Sequence, residues 1–190
     1  MTTEADTRAL HAALLRLGEA LAWPEERLYA VVPSVSSWSP AQHVQHALIA
    51  LRRIFAAVKE LRAGTGEAIE ASGRVTLPGR ALLLGGWIPR GKADAPDFAV
   101  PDAVPSRAGM SDTHAGACER YAELAPVAAT LRSVPGVITH PILKGMSASQ
   151  WWRFARIHTE HHLAIMDDVD RHRVVTDPLA DPVDPIGEVP

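Results

Sequence analysis

The sequence predicts an all-α fold: an antiparallel four-helix bundle with a long irregular crossover between its second and third main helices. Three observations lead there. Four long segments repeat apolar residues at helical spacing, no segment alternates convincingly enough to be a strand, and residues 64–110 carry proline and glycine in place of periodicity. At 190 residues the chain suits one domain with a real core. Residues 1–175 are expected to form the bundle, and 176–190, "ADPVDP" and its flanks, a loose proline- and acid-rich tail.

The first helix is expected from about Glu4 to Leu21, with Leu10, Leu14, Leu15, Leu17 and Leu21 as its apolar positions, stopped by Trp23-Pro24. The second has clear punctuation. Ser39 is a good N-cap, Pro40 suits the first helical position, and Gln42 stands three residues after the cap, as in a capping box. Its apolar series runs from Val44 to Leu61, and "AGTG" ends it. A short helix fits Ala81 to Leu84 within the crossover, which is long enough to suggest a mobile or functional segment. The third main helix is expected over Ser111–Arg132, opened by Ser111 or Asp112, with Pro126 splitting it near Ala125. "SVPGVITHPILKG" reads as loop. The last helix opens at Ser147 with Gln150 as a second capping box, Met146 and Trp151 as its hydrophobic staple, and runs to about His172.

Composition excludes several classes of function. A net charge of -3 offers no basic face for nucleic acid. No apolar run approaches the roughly 20 residues that span a bilayer. A lone cysteine, Cys118, leaves no internal disulfide and suits a reducing compartment, and "MTTEADTRAL" lacks the features of a signal peptide. A cytoplasmic location is the expectation.

The chemistry lies in "IHTEHH", residues 157–162, which holds three of the nine histidines. At about 100° per residue, Trp151, Phe154, Ile157, Ile165, Met166 and Val169 share one sector of the last helix, and His158 and His162 lie near its centre. Arg153, Arg156, Glu160, Asp167 and Arg171 take the opposite side. Two imidazoles one turn apart therefore point into the bundle, where each unsatisfied polar group costs about 1–3 kcal/mol. A shared divalent metal satisfies a nitrogen of each. Bonds to carbonyls, or between the rings, are the plainer alternative. The zinc-protease motif does not apply, because Glu160 is central in H-x-E-x-H and turns away from the face the histidines share. His161 lies at the edge of the sector. A third ligand is expected from "WSPAQHVQH": helical spacing places His43 nearer the apolar side and so slightly prefers it, while His46, at the border, remains open to a site in a groove at the end of the bundle.

Taken together, these stretches resemble the DinB/YfiT-like superfamily. The resemblance rests on Trp38 and Ser39 followed by His46, on His158 and His162 within "WWRFARIHTEHHLAIMDD", on the loop His140-Pro141 to Gly145 and then Gln150 and Trp151, and on "WIPRGKADAPDF". It implies a four-helix bundle with a three-histidine divalent-metal site, and takes His46 rather than His43 to join His158 and His162. Zinc and nickel both suit imidazole. Three neutral ligands leave a coordination position open. Some members of the superfamily are thiol S-transferases, so the resemblance implies a low-molecular-weight thiol and a small electrophile as partners, or hydrolysis with water in place of the thiol. A non-catalytic metal- or ligand-binding bundle, alone or as a homodimer, is the alternative.

The remaining residues receive ordinary readings. Arg53 and Arg156 are conceivable receivers for a thiol's carboxylates, although charged helix residues are usually solvated. Cys118 reads as a small buried side chain rather than a nucleophile, and Tyr121 as a packing residue. Of Trp151 and Trp152, one is expected in the core and the other beside a pocket or at a subunit contact. His11, His114 and His172 read as surface residues. "GWIPRGKA" approaches a phosphate loop, but Ala93 lacks the hydroxyl and Pro89 removes a loop N–H.

Overall fold

The computed structural model describes residues 2–92 and 94–173; the proposed tail, 176–190, lies outside them. Helices and strands follow the order α1 (Thr3–Leu21), α2 (Glu25–Leu28), α3 (Pro40–Ala63), β1 (Ile69–Glu70), α4 (Leu77–Gly85), α5 (Arg107–Leu124), β2 (Val137–His140), β3 (Lys144–Met146) and α6 (Ala148–His172). Helix α3 begins as its punctuation predicts. The Ser39 N–H donates to Gln42 Oε1 at 3.0 Å, the Gln42 N–H to Ser39 Oγ at 3.4 Å, and Gly64 closes the helix at φ 66°. Helix α6 opens with the Ser147 N–H donating to Gln150 Oε1 at 2.9 Å, and the expected staple residues Met146 and Trp151 are both buried.

The four long helices pack as a square in which α6 and α5 each lie against both α1 and α3. Cross-contacts set their directions. Thr7 and Arg16 of α1 meet Trp152 and Asp167 of α6, so that pair is parallel. His114 and Tyr121 of α5 bond the carbonyls of Leu14 and Thr7, so α1 and α5 are antiparallel. Helices α3 and α6 are antiparallel too, with His46 beside His158 and Phe55 against Trp152. Lys59 with Glu123, and Gln45 with Asp102 just before α5, make α3 and α5 parallel neighbours. This explains the long crossover. A helix of 24 residues is roughly 36 Å long, and the chain must return that distance before α5 can start beside α3.

Two local features depart from expectation, and a third meets it. Helix α5 starts at Ser106, whose hydroxyl accepts from the Gly109 N–H, rather than at Ser111 or Asp112. The Ser111 hydroxyl instead bonds back to the Arg107 carbonyl, an interior pattern rather than a cap. The split at Pro126 is present: α-helix ends at Leu124 and a 3-10 segment follows over Ala125–Ser133. The stretch expected as loop is a hairpin, β2 and β3, whose strand β2 also pairs with β1. Its Gly145 is sterically required, since a Cβ there would lie 2.9 Å from the Gly73 Cα. Among the described residues no helix is long and apolar enough to cross a membrane.

The side of α6 opposite the histidines is not simply solvated. Arg156 is 4 % exposed, with Nε 2.8 Å from Asp6 Oδ1, and Asp6, near the start of α1, is equally buried. Arg153 adds a 3.2 Å contact to the same carboxylate and donates to the carbonyls of Leu83 and Leu84, clasping the end of α4. Glu160 takes the other side of Arg156. Arg156 is therefore a bundle residue facing away from the histidines, and not a receiver for a ligand beside them. Asp6→Ala would leave buried Arg156 with Glu160 as its remaining carboxylate, and urea unfolding should show a loss of about 1–3 kcal/mol, with a smaller loss when Arg156→Met accompanies it.

Candidate metal centre

Because α3 and α6 run antiparallel, the first turns of α3 face the middle turns of α6. His46, His158 and His162 meet there, each offering a ring nitrogen, all within 4.8 Å of one another. His158 Nε2 stands 3.3 Å from both His46 Nε2 and His162 Nε2. A tetrahedral cation with Zn–N bonds of 2.0–2.1 Å requires ligand nitrogens about 3.3–3.4 Å apart, which two of the three separations match.

The outer nitrogens decide which protonation states are possible. His46 Nδ1 lies 2.7 Å from the Ala99 carbonyl oxygen, which only accepts, so Nδ1 carries the proton and Nε2 keeps its lone pair. His162 Nδ1 lies 2.9 Å from His43 Nδ1, and His43 Nε2 lies 3.0 Å from Ser36 Oγ, which also accepts the Trp38 N–H. One proton order leaves His162 Nε2 free for a cation: His162 Nδ1–H donates to His43, and His43 Nε2–H donates to Ser36. His43 is thus an outer partner of His162, which reconciles its inward position on the helix with its absence from the cluster. His158 Nδ1 is enclosed and has no partner among the described residues.

Burial keeps these rings neutral. Desolvation, reinforced by the neighbouring imidazoles, holds His158 and His162 well below the usual histidine pKa, and desolvation also lowers His46. His43 is brought down to about 3, chiefly by burial. Lone pairs are therefore available at neutral pH without displacing protons. Trp38 covers the rings, 5.1 Å from His46 and 5.4 Å from His43 between centroids.

The triad opens on a cavity of about 570 Å³, walled by Ile54, Leu143, Trp151 and Phe154 and floored along α3 by Ala50 and Ala57. Phe98 and Ile142, each about half exposed, stand at its mouth. Arg53 lies over the Phe98 ring at 4.0 Å and reaches the same cavity. His161 lines the cavity but is not one of the three convergent donors. Trp151 is the tryptophan beside the pocket and Trp152 the one in the core.

Residues 3–166 match the DinB superfamily. The chain belongs to this family. No curated protein and no solved structure matches it. The DinB features of the sequence acquire physical roles here: Trp38 shields the imidazoles, Ser39 caps the helix that carries His46, and Gly145 lets the hairpin close on Gly73.

Sequence reasoning missed the Ala99 carbonyl and Ser36, since neither a backbone acceptor nor a loop serine carries a pattern. His114 is not a surface residue: it is half-buried, donating from Nε2 to the Leu14 carbonyl beside Cys118. His11 is exposed and stacks on Tyr121. The near-phosphate-loop does not form, because Gly86 ends α4 instead of opening a helix.

The pH dependence of stability follows from these neutral rings. The unfolded chain takes up protons on these histidines as pH falls below about 6.5, while the folded rings do so only far lower. The stabilisation is complete above that value and is lost as pH falls, toward about 3 for His43 and about 4 for His161, by up to about 1.4 kcal/mol per pH unit per ring. Urea midpoints of metal-free protein at roughly pH 7, 6 and 5 should fall steadily. A flat profile would contradict neutral burial.

Proposed function

We propose that His46, His158 and His162 hold one divalent cation, zinc or nickel, and that the chain is a metal-dependent transferase joining a low-molecular-weight thiol to a small apolar electrophile. The observation that carries this reading is the pair of 3.3 Å Nε2 separations at the edge of a largely apolar cavity. Bound there, a divalent cation would lower the pKa of a thiol or water in its open position.

The chain's own residues supply the rest. The Ala99 carbonyl, and His43 with Ser36, orient two of the three imidazoles. Trp38 excludes water from one side, and Ile54, Trp151 and Phe154 favour an apolar partner. A thiol suits the site better than water. It ionises far more readily and needs no separate base, and Glu160, the carboxylate between the two α6 ligands in sequence, is committed to Arg156. The orphaned Nδ1 of His158 favours a second reading, a non-catalytic metal- or ligand-binding bundle, because an unsupported ligand holds its metal less rigidly.

Protein purified without a histidine tag should carry about one divalent ion per chain, read by elemental analysis. His158→Ala should abolish retention, and His43→Phe should weaken metal affinity about 10- to 100-fold. Monochlorobimane offered with glutathione, bacillithiol or mycothiol should be conjugated by the loaded protein and not by His158→Ala. Metal without turnover would favour the binding reading, and a protein free of divalent metal would refute the metal site in either reading.

A further inference from the structure

His140 belongs to none of the groups above, yet it lines the same cavity. It ends β2 and turns its ring over the hairpin loop, where Nδ1 lies 3.1 Å from the backbone nitrogens of both Ile142 and Leu143. A peptide N–H can only donate. Nδ1 is therefore an acceptor carrying no proton, and in the neutral ring the proton must sit on Nε2. Burial brings the His140 pKa down to about 4, so the neutral ring persists at physiological pH. Nε2 has no hydrogen-bond partner among the described residues and is not enclosed by them. His140 and His158 flank the same phenyl ring, Phe154, at 5.0 and 5.4 Å between centroids.

We propose that His140 is a substrate-binding residue that presents a fixed Nε2–H donor to a hydrogen-bond acceptor, such as a carbonyl oxygen, on the molecule occupying the cavity beside the histidine triad. The inference takes the cavity as the substrate's place, as in the reading above, and adds the chemical feature its occupant must carry. A neutral imidazole whose tautomer is imposed by backbone groups polarises an acceptor without changing charge, an arrangement suited to an oxygen that gains negative charge as a nucleophile attacks nearby. It also makes an otherwise apolar cavity selective, because an isosteric occupant lacking the acceptor leaves the N–H unpaired.

The test compares two near-isosteric probes, acetophenone and α-methylstyrene, which differ in having C=O or C=CH2. Binding to the full-length protein is measured as purified and again after chelator treatment, so that this inference and the metal reading fail separately. Acetophenone should bind about two- to tenfold more tightly than expected from the two probes' relative partitioning into an apolar solvent, with or without metal. His140→Asn keeps an acceptor for the Ile142 and Leu143 N–H groups but places nothing at Nε2, and should erase the preference. His140→Gln, which can place an amide N–H near Nε2, should restore part of it. Long-range 1H–15N spectra of the wild-type protein should show His140 with Nδ1 bare and Nε2 protonated near neutral pH, and the Nε2 proton should shift on adding acetophenone. A protonated Nδ1, or a ketone preference undiminished in His140→Asn, would overturn the proposal.

Discussion

The constraint on which the rest of this structure depends is the burial of a layer of neutral imidazoles between α3 and α6. Desolvation keeps them uncharged, so every outer nitrogen that is to be satisfied must find a neutral donor or acceptor. Two of those partners come from outside the helices: the Ala99 carbonyl from the crossover and Ser36 from the loop before α3. The paths of those irregular segments are thus part of the site. The crossover that carries the chain back between parallel neighbours also roofs the cavity, and its Phe98 and Ala99 come to rest beside α3.

A second buried polar system holds the other face of α6. Asp6, Arg153 and Arg156 join α1, α6 and the end of α4. Such a pair is weak evidence for net stability, since desolving both charges offsets much of their attraction. Its effect is geometric. With one face of α6 bound to α1 and α4 through charged groups, the opposite face must present His158 and His162 to α3, and a rotation of the helix would break both sets together.

Much of this was legible in the sequence. Capping residues and helical spacing located α3 and α6 to within a residue or two, because Ser39, Gln42, Ser147 and Gln150 act locally. The inward aim of His158 and His162 followed from the same periodicity. Periodicity slightly preferred His43 over His46, the wrong one of the two for the cluster, since both are buried and they differ only in which layer of the site they reach. Helix α5 was harder. It buries few of its own side chains, among them Met110, Ala117 and Leu124, and Gly109 hides its first turn. The hairpin was missed because β2 and β3 are short and lean on Gly73 and Val75, far away in sequence. Asp6 carries no sequence signal of its role: nothing local to the first turn of α1 reveals that arginines from α6 surround it.

The separation of the three histidines along the chain has a consequence for biosynthesis. His46 emerges from the ribosome early, whereas its companions follow 112 residues later for His158, and the His43–His162 contact spans 119. Helices α1, α3 and α5 can associate before the final helix exists, leaving an apolar trough and two bare imidazoles turned toward water. The nascent chain therefore passes through a stage in which one of the three convergent nitrogens stands without its companions, and closure of the cluster waits on α6.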